Sequence, residues 1–244
     1  MNDLRTAINF LTVIPWRGRP DQPPASLGKA AGWFPLVGGA IGLLSALAYA
    51  GLAAVLPPFP AAVLAAAVWI GLSGGLHLDG LADCCDGMLA AVSRERRLEI
   101  MKDPRLGTFG GLGLMLAVLL KIGLLAGLAP IRALMALPLA AALGRWLLLP
   151  SAFQPLARPG GMGAAFASSV NRNTLLLGSL WLLPLAALNG WRGLAGLLLA
   201  LAAAALIWRT ARQRLGGVSG DVFGLLVETG ELCALLVFNL RWPF

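Results

Sequence analysis

AAGWFPLVGGAIGLLSALAYAGLAAVLPPFPAAVLAAAVWIGLSGGLHL, residues 30–78, runs for 49 residues without an Asp, Glu, Lys or Arg. Proline starts a helix but does not continue one, so Pro57, Pro58 and Pro60 divide the stretch into spans near 33–56 and 61–78. Each approaches the roughly 20 apolar residues that cross a bilayer. Further apolar segments lie near 107–129, 133–149, 174–189, 193–208 and 222–240, which predicts about seven transmembrane helices, within a range of six to eight. Residues 4–15, LRTAINFLTVIP, are too short to cross and read as an interfacial or re-entrant helix that holds Arg5 at the headgroups.

Composition agrees with a bilayer as solvent. Of the 244 residues, 58% are hydrophobic and 12% charged, about half the roughly 25% charge of a soluble domain. The mean hydropathy is +0.80. The alternating, β-branched pattern of a membrane barrel is missing, so the expected fold is all-α: a polytopic helix bundle forming one membrane-embedded catalytic domain over 1–244. The apolar stretch after Met1 holds Asp3 and Arg5 and stops at Pro15, which reads as no signal peptide. Three cysteines, two of them adjacent as Cys84 and Cys85, make neither a disulfide framework nor a CxxC pair.

Basic residues in short loops stay on the cytoplasmic side. With the N-terminus inside and an odd number of spans, 14 of the 19 fall there: Arg5, Arg17, Arg19, Lys29, Arg94, Arg96, Arg97, Lys102, Arg105, Arg158, Arg172, Arg209, Arg212 and Arg214. Arg132, Arg192 and Arg241 fall outside, with the C-terminal Phe244, while Lys121 and Arg145 lie within spans. The net charge of +8 therefore suits anionic headgroups or a phosphate-bearing substrate. No nucleic-acid motif accompanies it.

Nine of the 11 acidic residues occupy two windows. In LHLDGLADCCDGM (76–88), Asp79, Asp83 and Asp86 follow i, i+4, i+7 spacing, which on a helix confines them to a face about 60° wide. Three hard oxygen donors on one face suit Mg²⁺, or Mn²⁺ in its place. The alternative is a helix end whose acids face water. His77, the single histidine, points away from that face on a regular helix, though imidazole suits a catalytic acid or base.

SRERRLEIMKDPRLGTFGG (93–111) follows, with Lys102, Asp103 and Arg105 beside a proline at a helix boundary. The N–H groups near Gly107 and Gly110 could add an anion site to the cationic side chains. Arg94, Arg96 and Arg97 are equally compatible with ordinary loop charge, and Glu95 and Glu99 with pairs along a surface helix. The second acidic window, GGVSGDVFGLLVETGEL (216–232), places Asp221, Glu228 and Glu231 on an arc of about 80°. They read as further metal or substrate ligands, or as partners for intramembrane Lys121 and Arg145.

HLDGLADCCDG (77–87) followed by RERRLEIMKDPRLGTFGG (94–111) resembles the adenosylcobinamide-GDP ribazoletransferase family. The likeness extends to FLTVIP (10–15), FPLVGGAIG (34–42), ARPGGMG (157–163) and GGVSGDVFGLLVETGEL. It implies a bacterial inner-membrane enzyme, with its active site near the cytoplasmic face, that completes cobalamin. A hydroxyl of α-ribazole, or of its 5′-phosphate, attacks the cobinamide-side phosphorus of adenosylcobinamide-GDP and GMP leaves. The resemblance implies Mg²⁺ at Asp79, Asp83 and Asp86, with Asp86 the expected proton acceptor among them, and His77 stays a candidate acid or base on its imidazole alone. Candidate substrate contacts are then Lys102, Asp103, Arg105, Gly107, Gly110, Arg145, Arg158, Asp221, Glu228 and Glu231. Membrane lipids and a second copy of the chain are the further expected partners. The competing readings are a divalent-cation or proton-coupled transporter, disfavoured by the lack of an internal repeat, and a lipid-phosphate alcohol transferase.

Overall fold

A computed structural model describes residues 2–16 and 27–240; Arg17, Arg19, Arg241 and Phe244, which enter the charge map above, lie outside them. The regular elements of the described chain are all helices, joined by short loops. Helix α1 (Asn2–Leu11) is followed by α2 (Leu27–Ala30), which passes through a 3₁₀ turn into α3 (Phe34–Ala53). Next come α4 (Pro58–Ser73), α5 (Leu76–Leu89), α6 (Arg94–Ile100), α7 (Thr108–Ala126) and α8 (Pro130–Ser151). The last four are α9 (Gly161–Ser169), α10 (Arg172–Leu188), α11 (Gly190–Leu215) and α12 (Gly220–Asn239).

All seven expected apolar segments are helical, but they differ in their capacity to span. Among the described residues, four stretches are long and apolar enough to cross a membrane: Leu27–Ala53, Thr108–Ala126, Pro130–Ser151 and Gly190–Leu215. The pair α4 and α5 makes a fifth if a bent pair counts as one span. Helix α10 is shorter, at 17 residues, and α12 carries three acids. The straight span expected at 61–78 is corrected: α4 stops at Ser73 and α5 leaves at 93°. Gly74 and Gly75 make that corner with φ of +63° and +69°, a left-handed conformation that costs other residues a clash at Cβ. Hydropathy passes smoothly over this break because glycine is nearly neutral on such scales. Helix α1, ten residues long, is too short to cross, as expected, and buries Ala7 and Leu11.

Helix α8 is the axis of the bundle, packed between α3 and α12. Its inward positions are largely small, with Ala136, Ala140, Ala141 and Ala142 fully buried. In a bilayer, association of helices rests on such close packing, since lipid tails are as apolar as leucine. The outer faces are apolar too: Leu112, Met115, Leu116 and Leu119 of α7 and Leu194 and Leu198 of α11 are all exposed. A water-soluble chain would not spend so many large side chains there, so the outward face identifies a membrane protein.

The two ends of the bundle differ. At one, Tyr49 donates its hydroxyl to the Leu128 carbonyl (3.0 Å) and the Asn239 amide donates to the Leu124 carbonyl (3.0 Å). At the other, the basic residues assigned to the cytoplasm bind the backbone. Arg94 donates to Ala157 O (2.9 Å), Arg97 donates to Met88 O (2.7 Å), and Arg214 donates to the same Met88 carbonyl. Arg94 and Arg97 are therefore more than loop decoration, because they tie α6 to the end of α5 and to the segment before α9.

Candidate functional site

The basic end of the bundle holds a cavity of about 530 Å³, where the starts of α5, α9 and α12 meet. The close approach of α5 to α12 is made by two glycines. A Cβ on Gly80 would lie 2.7 Å from the Asp221 carbonyl, and one on Gly224 would lie 2.8 Å from the His77 carbonyl. Neither position has room for a side chain. This contact sets His77 and Asp79 of α5 beside Asp221 of α12, all three in the cavity wall.

Lys102 and Arg158 also line it. Arg158 approaches Asp221 at 3.7 Å, and one of its terminal nitrogens is buried without a hydrogen-bond partner. Asp221 takes a hydrogen bond from Ser219, which caps α12 (3.2 Å). His77 is only 5% exposed, and its Nε2 has no partner either. The segment between Ala157 and α9 supplies Gly160 and Gly161 to the same wall, and in both φ is positive, near +80°. Their neighbours' N–H groups, at the start of α9, have no side-chain cap.

The acids of the first window divide. Asp79 faces the cavity, and Asp83 has Asp221, Asp79 and Asp86 as its electrostatic neighbours. Asp86, expected as a metal ligand and proton acceptor, is instead engaged by α7: it accepts from the N–H groups of Gly107 and Gly110, both at 2.8 Å. The glycine-rich helix start expected to hold a substrate phosphate is thus filled by a carboxylate of the protein itself. With that arrangement, no three His, Cys, Asp or Glu side chains stand close enough together to hold a metal ion among the described residues. Asp79 and Asp221 in the cavity wall, with Asp83 as their electrostatic neighbour outside its lining, nevertheless match the metal in donor chemistry, since all three offer hard oxygens.

Other expectations are corrected as well. Arg105 is taken up by Asp103, donating from Nε (2.9 Å) and Nη2 (2.7 Å), and the pair is outside the cavity lining. Those bonds stabilise the ionised carboxyl of Asp103 and hold its pKa at about 2. Glu228, Glu231 and Arg145 are not among the residues that line the cavity, and they are paired with one another and with Lys121. Lys121 donates to Glu228 (2.7 Å) and to Glu231 (2.5 Å), while Glu231 also accepts from Arg145. Trp69 lies against the Lys121 ammonium at 5.0 Å. All four charged side chains are at most 5% exposed, so two cations and two anions neutralise one another inside the bundle. A transporter would need such intramembrane carboxylates free to take its ion, and these are paired.

Sequence reasoning passed over Phe10, Phe34, Phe166 and Phe223, which line the cavity. They come from four helices and share no spacing, so only the fold unites them. Ser219 was passed over too, although a serine before an acidic first turn is a signal that could have found it.

Comparison with known proteins gives the same direction. The profile of the cobalamin-5-phosphate synthase family matches residues 3–239. The adenosylcobinamide-GDP ribazoletransferase of Pseudomonas aeruginosa (strain UCBPP-PA14) is 42% identical, with 97% of this chain and 97% of the relative covered. The protein of that name from Desulfitobacterium hafniense (strain Y51) is 36% identical, over 100% of this chain and 99% of its own. A third, from Shigella boydii serotype 4 (strain Sb227), is 39% identical over 94% and 96%. No solved structure matches.

Proposed function

Because the chain belongs to the cobalamin-5-phosphate synthase family and acts in the final step of cobalamin assembly, ribazole transfer to adenosylcobinamide-GDP, we propose that the cavity between α5, α9 and α12 is where the transfer takes place. The observation that carries this is the convergence there of Lys102 and Arg158 with Asp79, Asp221 and His77. Pyrophosphate chemistry needs cations on the phosphate oxygens and carboxylates for a metal, and these residues supply both.

Asp79, Asp83 and Asp221 would hold Mg²⁺, or Mn²⁺ in its place, with Asp86 left to α7. The chemistry a metal would supply there is positive charge to offset that of the pyrophosphate oxygens. Lys102 and Arg158 bind those oxygens, and Arg158 has a terminal nitrogen still free of partners. A ribazole hydroxyl forms the new O–P bond at the cobinamide-side phosphorus, the bridging P–O bond breaks, and GMP leaves with that oxygen. The hydroxyl proton goes to Nε2 of His77, which no protein group occupies. The basic loops around the cavity favour an inner-membrane enzyme with this end in the cytoplasm, where nucleotides are.

The test is GMP release by purified protein given adenosylcobinamide-GDP, α-ribazole and titrated Mg²⁺. Asp79→Asn and Asp83→Asn should each lower turnover by about 10²-fold or more in protein that remains folded. Turnover within about twofold of the parent would overturn the metal site.

A further inference from the structure

The two substrates differ greatly in size and polarity, and the cavity has two unlike walls. One wall is polar, with His77, Asp79 and Arg158. The other is a column of phenylalanines. Phe10 of α1 stacks on Phe34 of α3 with ring centroids 5.6 Å apart, Phe34 stacks on Phe166 of α9 at 6.0 Å, and Phe223 of α12 meets Phe166 edge-on at 5.5 Å. Phe34 stacks against two of its neighbours and is fully buried, so little of its ring face is left for the cavity it lines. Aromatic edges carry the positive part of the ring quadrupole, and their preferred partner is the flat face of another aromatic group.

None of the four rings carries a hydrogen-bonding group. The aromatic part of a ligand placed there must therefore have no donors or acceptors along its rim, because each one buried unpaired costs a full desolvation. Of the planar groups that the reaction brings together, guanine and adenine both fail this condition. The benzimidazole of ribazole meets it along its benzo edge, which carries no donor or acceptor, while its one acceptor nitrogen lies on the opposite ring beside the ribose and can face the polar wall. Size selects the same ligand. Pockets of about 300–1,000 Å³ hold ligands of drug size, and the 530 Å³ here suits two fused rings and a ribose. A corrin ring joined to GDP is several times too large.

We infer that this cavity is the acceptor's pocket: the benzimidazole of ribazole packs against Phe10, Phe34, Phe166 and Phe223, its ribose faces His77 and Asp79, and the donor's corrin and guanine stay outside. The assignment rests on the ribazole-transfer reading above. It places the attacking hydroxyl at the polar wall, so that only the donor's pyrophosphate has to reach Lys102 and Arg158.

The experiment uses the full chain in lipid nanodiscs, with ribazole varied at fixed donor and then donor varied at fixed ribazole. Phe166→Leu and Phe223→Leu keep an apolar side chain but remove the ring. The KM for ribazole should rise roughly five- to fiftyfold, the scale of base–aromatic contacts, while the donor KM stays within about twofold. A raised donor KM with an unchanged ribazole KM would overturn the assignment. The unaltered protein provides a second measurement that does not depend on the variants folding. An azidobenzimidazole riboside, photolysed without donor, should label α9 and the start of α12, and ribazole but not GMP should displace it. Labelling displaced by GMP, or found on the lipid-facing helices, would also overturn the pocket. If the unaltered protein releases no GMP with ribazole as acceptor, the reaction reading fails, whereas labelling of α9 that ribazole displaces would still stand as a binding site.

Discussion

Asp86 of α5 accepts a hydrogen bond from the backbone N–H of Gly110 at 2.8 Å, and its second oxygen accepts one from Gly107 at the same distance. A carboxylate in this position satisfies N–H groups that a helix start leaves open and complements the positive end of its dipole. Asn in its place keeps one acceptor, loses the charge and turns an NH₂ group toward the other N–H. A charge-assisted bond is worth about 1.5–3 kcal/mol, so Asp86→Asn should lower the unfolding midpoint by several degrees. The Mg²⁺ concentration needed for half-maximal activity should not change. An unaltered midpoint together with weakened Mg²⁺ dependence would return Asp86 to the metal.

The Lys121, Glu228, Glu231 and Arg145 group makes a different kind of prediction, because its charges balance. Removing Lys121 alone leaves two buried carboxylates to one guanidinium, and a buried pair broken on one side costs about 3–5 kcal/mol. Removing Glu228 as well restores neutrality, with Arg145 still on Glu231. Lys121→Met should therefore unfold at a much lower temperature than the parent, and Lys121→Met/Glu228→Leu should recover most of the loss. A double variant no better than the single one would show that the charges are not coupled.

These two cases explain what could be read from the sequence and what could not. The helical class and the apolar segments follow from hydropathy, because every buried backbone group in lipid must be satisfied within its own helix. Asp79, Asp221 and Lys102 were legible as charges too few and too clustered to be incidental, whereas Arg158 entered only through the family resemblance. Asp86 and the N–H groups of Gly107 and Gly110 were legible separately, each as half of an interaction with substrate. Nothing in their spacing says that they satisfy each other across 21 and 24 residues. The same holds for Glu231, which is 86 residues from Arg145 and was equally open to substrate or to an ion pair. The corner at Gly74 and Gly75 was hidden differently, since a left-handed turn carries no hydropathy signal.

Sidedness follows from the bundle's two ends. Arg96 lies on α6, at the end with the cavity, and Arg132 on the first turn of α8, near the Tyr49 contact with Leu128. In a background with Cys84, Cys85 and Cys233 replaced by Ala, a Cys at 132 should react with an impermeant maleimide added outside intact cells. One at 96 should react only after the membrane is opened. The reverse pattern would place the cavity on the wrong side for cytoplasmic nucleotides.

The last prediction distinguishes cations that meet substrate phosphate from cations that merely share the loop. Lys102 and Arg158 line the cavity. Arg105 is 87% exposed and already doubly bonded to Asp103, and Arg96 is 64% exposed and paired with Glu99 at 2.8 Å. Truncating a cation that binds a phosphate oxygen removes a charge-assisted bond of roughly 1.5–3 kcal/mol. Losing an exposed ion pair costs at most about 1 kcal/mol. The kcat/KM for Lys102→Ala and Arg158→Ala should thus fall about ten- to a hundredfold, and that for Arg105→Ala and Arg96→Ala by less than about fivefold, on the same energy scale. Arg97→Ala belongs with neither pair, because it frees the carbonyl of Gly87 and leaves that of Met88 to Arg214 alone, and so should act through stability, lowering the unfolding midpoint before it affects turnover. A uniform loss in all five variants would mean that the loop works as a diffuse positive field, with no separate role for Lys102 and Arg158.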